Sequence, residues 1–130
     1  MSPHGSRSSP RILCVDDDPA MQEYLVWKLR RSGFRAVAVS SGRDALRYAE
    51  TEPIDLFVLD FEMPEMNGEE LAEELRRRWP DIPLLMISGN GALPESVRNL
   101  VDCFVHKGDD FSSQLIAQAS SLLNLGATAA

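Results

Sequence analysis

The stretch Arg11–Met21, RILCVDDDPAM, sets three carboxylates directly behind the apolar run Ile12 to Val15. A short continuous apolar run followed by a helix signal reads as a strand buried on both faces. Three adjacent negative charges at the end of such a strand repel one another, so each needs a reason to be there. Asp18 has a local one. It precedes Pro19 and suits the N-cap of a helix, its side chain accepting from backbone N–H groups. Asp16 and Asp17 have no such reason within the stretch.

The same alternation continues along the chain. Met21, Leu25, Val26 and Leu29 form one stripe of a helix that Gly33 ends. Phe34–Ser40 reads as a strand. The helix after it opens at Ser41 and Asp44, which have the spacing of a capping box. Ile54–Leu59 is a strand that ends in Asp60. Asn67–Trp79 is a third helix, with Asn67 and Glu70 suited to its start and Pro80 closing it. Its acids come first and its arginines last, which complements the helix dipole and predicts Glu73–Arg77 and Glu74–Arg78 pairs. PLLMIS (83–88) is a fourth strand, Pro94–Leu100 allows only a short helix, and CFVHK (103–107) is a fifth strand. Phe111–Leu123 closes the pattern, with Phe111, Leu115, Ala119 and Leu122 on one side. Residues 1–10 read as disordered, 11–124 as one domain and 125–130 as a tail. Five apolar strands alternating with helices predict an α/β fold, an open doubly wound parallel sheet with helices on both faces. Ligands of such folds gather at the carboxyl ends of the strands.

Composition narrows the function. The 130 residues suit one hydrophobic core, and 44% apolar with 25% charged is an ordinary globular balance. A net charge of -7 argues against nucleic-acid binding by this domain. No apolar run approaches the roughly 18 residues of a membrane helix, and residues 1–10 lack a signal-peptide stretch. A cytoplasmic chain with no membrane contact is expected. Cys14 and Cys103 lie in apolar runs and read as buried, reduced and inert. Trp27 and Trp79 read as packing or partly exposed residues on helices, and Met63 and Met66 as loop cover.

At the predicted carboxyl edge stand Asp16, Asp17, Asp60, Ser88 and Lys107. Three carboxylates and one ammonium leave a formal excess of two negative charges, which one divalent ion would balance. Oxygen ligands favour Mg²⁺ or Mn²⁺ over zinc. A carboxylate beside such an ion can attack phosphorus and form an aspartyl-phosphate. Lys107 and the metal would spread the charge of the transferring group, and the Ser88 hydroxyl would hydrogen-bond its oxygens. His106 alternates away from Lys107 and reads as a surface or partner-face residue.

The segments ILCVDDDP, DLFVLDFEMPEMNGEEL, PLLMISGN and CFVHKG, in this order, resemble the receiver domain of two-component response regulators. The resemblance spans about residues 11–124. It implies a flavodoxin-like five-stranded sheet of order 2-1-3-4-5. It further implies that Asp60 is the phospho-acceptor, and that Mg²⁺ is held by Asp16, Asp17, Asp60 and the backbone carbonyl of Glu62. Ser88 would be the switch hydroxyl, Lys107 the partner of the phosphoryl group, and Phe104 the aromatic that reports the switch. The implied donor is a sensor histidine kinase or a histidine phosphotransfer protein. The implied output is contact with a downstream protein, with a homodimer as one form. Glu62 and Asn90 lie where such domains tune hydrolysis through water access.

Two features depart from that pattern. Gly108 stands where a proline usually follows the lysine, so a trans bond is expected there, because a non-proline cis bond costs roughly 2.5–4 kcal/mol. Only 18 residues separate Ser88 from Lys107, and the stretch opens SGNGALP, which predicts a short or irregular fourth helix. These departures keep a second reading open, a receiver-shaped binding module not controlled by phosphate. A phosphohydrolase with an aspartyl-phosphate intermediate is a third. It would want a second Asp where Glu62 stands, and a cap segment that the chain lacks.

Overall fold

The computed structural model describes residues 9–63, 67–90 and 92–129, with side chains to Leu123. The readings of Met66 as loop cover and of residues 1–8 as disordered fall outside these. Ser9 and Pro10 depart from the predicted disordered segment. The Pro10 carbonyl accepts from the Arg35 backbone N–H, and the Ser9 carbonyl from the Arg35 side chain.

The strands are β1 (Arg11–Val15), β2 (Arg35–Val39), β3 (Leu56–Asp60), β4 (Leu84–Ser88) and β5 (Cys103–His106). The helices are α1 (Pro19–Arg31), α2 (Gly42–Thr51), α3 (Gly68–Arg78), α4 (Glu95–Arg98) and α5 (Phe111–Ala129). All strand pairs are parallel, in the order β2-β1-β3-β4-β5. The predicted flavodoxin-like arrangement is therefore present.

Period-two alternation divides the strand side chains between two cores. Ile12, Cys14, Leu56, Val58, Leu85 and Ile87 pack with Leu25 and Leu29 of α1 and with Phe111, Leu115 and Ala119 of α5. Leu13, Val15, Phe57, Leu59, Leu84 and Met86 pack with Ala45 of α2, Leu71 and Leu75 of α3 and Val97 of α4. A sheet covered on both faces explains the unbroken apolar runs Ile12–Val15, Leu56–Leu59 and Leu84–Ile87 in β1, β3 and β4.

The predicted caps form. Asp18 accepts from Ala20 N at 3.1 Å, Ser41 accepts from Asp44 N, and Asn67 and Glu70 make a reciprocal capping box at α3. Three details differ from the sequence reading. Arg77 pairs with Glu74 instead of Glu73, and Arg78 bridges Glu74 and Glu50. Helical spacings of three and four are both within reach of an arginine, and Glu74 lies between both partners. Cys103 is half-buried rather than buried, because β5 is the edge strand. The α5 backbone continues to Ala129 through the predicted tail, since no proline interrupts it and alanine favours helix.

Gly68 sets how closely α3 approaches the end of β3. A Cβ added there would lie 2.8 Å from Phe61 Cα and 3.1 Å from the Asp60 carbonyl oxygen. Both neighbours are backbone atoms at the end of β3. Gly68→Ala should destabilise the domain by about 1–3 kcal/mol through overpacking, outweighing a helix-propensity gain of up to about 1 kcal/mol. Urea unfolding measures this, and an unchanged or raised midpoint would contradict the close approach.

Candidate functional site

Four strand ends and the residues just beyond them form the site. Val15 closes β1, and Asp16 follows it, its backbone N–H held by Val39 O. Asp60 ends β3 beside Ile87 of β4. Ser88 ends β4 beside His106 of β5, and Lys107 N donates to Ser88 O at 2.9 Å. The predicted site residues thus come from one edge of the sheet, and the parallel register sets their spacing.

Asp16, Asp60 and Ser88 are the buried polar residues of the described core. One oxygen each of Asp16, Asp17 and Asp60 lies within 4.8 Å of the others. Lys107 Nζ stands 3.3 Å from Asp60 Oδ1 and 3.9 Å from Asp16 Oδ2. Asp16 Oδ1 accepts from Asp18 N at 2.9 Å, while Asp16 Oδ2 is buried without a hydrogen bond. Buried polar atoms nearly always have a partner, so this oxygen points to one that binds there. Hard carboxylate oxygens around a net negative charge fit a divalent cation such as Mg²⁺. Asp17 is exposed and leaves the site open to solvent on its side.

Burial is the main force on the acidic pair. It pushes the Asp16 carboxyl up to about 6, with the charges of Asp60 and Asp17 adding to the rise and the Asp18 N–H and Lys107 opposing it. Burial likewise raises Asp60, against the pull of Lys107 and the Glu62 N–H.

Ser88 is engaged in a way the sequence reading missed. Its hydroxyl donates to Glu62 Oε2 and accepts from Asn90 N. Glu62 also accepts from Gly89 N at 3.1 Å and from Asn90 Nδ2 at 2.7 Å. Sequence reading gave the Glu62 carbonyl to the metal and placed Glu62 and Asn90 where water access is tuned, but not their bonds to Ser88, and a contact between residues 26 positions apart leaves no local signal. Phe104 lies half-buried on β5 against the core shared by α2, α3 and α4. His106 is exposed as predicted, with Nε2 3.1 Å from Gly89 O. Gly108 N donates to His106 O, and a Cβ at Gly108 would meet His106 Nδ1 at 3.0 Å. No cis peptide bond occurs among the described residues, the Lys107–Gly108 bond included.

Residues 12–110 match the response regulator receiver domain. The chain belongs to this family. Among receiver proteins of known structure, TrrA of Thermotoga maritima, solved in complex with Mg²⁺-BeF, is 30% identical with a TM-score of 0.82. That match covers 88% of this chain and 99% of TrrA. TrrA bound to the histidine kinase ThkA also matches, with 30% identity and a TM-score of 0.80 over 88% of this chain and 98% of that one. The transcriptional regulatory protein PrrA of Mycobacterium leprae is 37% identical over 127 residues, 94% of this chain and 54% of its own. The chain spans 21% to 54% of the first curated relatives it matches. Among the described residues, no helix is long and apolar enough to cross a membrane.

The raised Asp16 carboxyl gives the receiver a pH signature without metal. Protonation favours the folded form of this group. Its contribution to stability is full below the ordinary carboxylate value near 3.9 and is lost as pH rises through about 6. Asp16→Asn can keep the bond from Asp18 N while removing the charge. In a chelator it should raise Tm at pH 8 by several degrees and change it little at pH 4. Equal shifts at both pH values in thermal unfolding would contradict the assignment.

Proposed function

We propose that this receiver takes a phosphoryl group onto Asp60 from a phosphohistidine of a sensor histidine kinase or phosphotransfer protein, and that the change alters its protein contacts. The observation that carries the proposal is the buried Asp60 carboxylate held 3.3 Å from Lys107 and grouped with Asp16 and Asp17. The kinase complex of TrrA supports the class of donor.

In the transfer, an Asp60 carboxylate oxygen attacks phosphorus and forms a P–O bond while the P–N bond to histidine breaks. The electron pair of that bond leaves with the imidazole, which takes up a proton. Lys107 stands where it can pair with the phosphoryl oxygens and balance the added charge. Asp16, Asp17, Asp60 and the Glu62 carbonyl would hold Mg²⁺. The TrrA complex and the buried Asp16 oxygen without a hydrogen bond support this assignment. When bound, the ion would supply charge neutralisation on the transferring group. Water attack on the phosphorus would return Asp60 and inorganic phosphate, so the protein accepts phosphate on itself without turning over a separate substrate. Ser88 would hydrogen-bond the phosphoryl group and Phe104 would repack with it. This work belongs to a domain of residues 11–124, acting in the cytoplasm without contact to nucleic acid or membrane.

Incubation with Mg²⁺ and acetyl phosphate should add one phosphoryl group to the intact mass. The gain should vanish in EDTA and in Asp60→Ala. Failure to gain mass, together with failure to bind Mg²⁺ and beryllofluoride, would overturn the proposal in favour of a receiver-shaped binding module whose partner contacts ignore Asp60.

A further inference from the structure

The Ser88 hydroxyl has one proton to donate, and Glu62 takes it. Glu62 Oε2 accepts from Ser88 Oγ and Asn90 Nδ2, and Oε1 accepts from Gly89 N. The carboxylate therefore gathers three donors from one turn after β4, while its own backbone N–H donates to Asp60 Oδ1 at 3.2 Å. An anion satisfied by a hydroxyl, a backbone amide and a side-chain amide is bound as a phosphoryl oxygen would be. Two anions cannot share the Ser88 proton, and their charges repel.

We infer that Glu62 is an internal competitor of the phosphoryl group. It occupies the donors of Ser88–Asn90 in the unphosphorylated chain and must vacate them when Asp60 is modified. The inference rests on the reading of Asp60 as acceptor and adds a residue that sets how readily the site accepts. The side chain of Glu62 is exposed, so it has room to swing into solvent and its removal leaves the core intact. Its competition would also make the β4–α4 turn a two-position element, held by Glu62 in one state and by the modified Asp60 in the other.

The test uses Mg²⁺ with beryllofluoride as probe, titrated into the full chain and followed by a spectroscopic change or calorimetry. Glu62→Ala and Glu62→Gln should both bind the probe more tightly, Glu62→Ala by roughly three- to tenfold. On a Ser88→Ala background the Glu62→Ala gain should fall below about twofold, since the contested proton is gone. Hydrogen exchange supplies a readout that needs no probe: the Gly89 amide should exchange faster in Glu62→Ala than in the unaltered chain. An equal gain with and without Ser88 would show that only the lost charge matters and would overturn the inference. Unchanged probe affinity, or unchanged exchange at Gly89, would overturn it as well. Absence of probe binding in every variant would instead remove the acceptor reading and this inference with it, an outcome distinct from binding that ignores Glu62.

Discussion

Asp16 and Asp60 are buried side by side at the ends of adjacent parallel strands, with the ammonium of Lys107 between them. Carboxylates in that position oppose their own ionisation, which is why burial raises both. A fold gains nothing from this arrangement alone. It becomes favourable when a cation joins the acids and offsets their charge. The rest of the structure can be read as the means of holding this unfavourable cluster in place.

The means are ordinary. Two apolar layers fix the five strands, and the parallel register puts Asp60, Ser88 and Lys107 on one edge. Gly68 lets α3 close under the end of β3. The Asp18 cap turns the third aspartate away from the cluster into helix α1. On the far side, the ring of His106 meets the Gly89 carbonyl, and the missing Cβ at Gly108 leaves that ring its place. The Gly108 departure from the family pattern and the position of His106 are thus one local solution. The four residues of α4 leave a short element on the face that would carry any change at Ser88 outward.

Much of this was legible before folding. The apolar runs that end in Asp16 and Asp60 were readable because a sheet covered on both faces tolerates no polar interruption. The strand order came from the family resemblance. The Gly-rich stretch after Ser88 predicted a short α4, as observed. The choice of Glu74 over Glu73 by Arg77 was not legible, because helical spacing permits both. The bond from Ser88 to Glu62 escaped for a different reason. The partners of Glu62 lie on another strand end, and no periodicity encodes which rotamer a loop carboxylate adopts. Likewise the hold of Arg35 on Ser9 and Pro10 depends on pairing across β1 and β2, which local composition does not report.

The excess of negative charge at the strand ends calls for a divalent cation. The most direct measurement is a calorimetric titration of Mg²⁺ into the metal-free chain and into Asp17→Asn, whose altered residue is exposed and outside the core. One saturable ion per chain is expected, lost or greatly weakened by the substitution. Absence of saturable binding in the unaltered chain, or binding indifferent to Asp17, would contradict it.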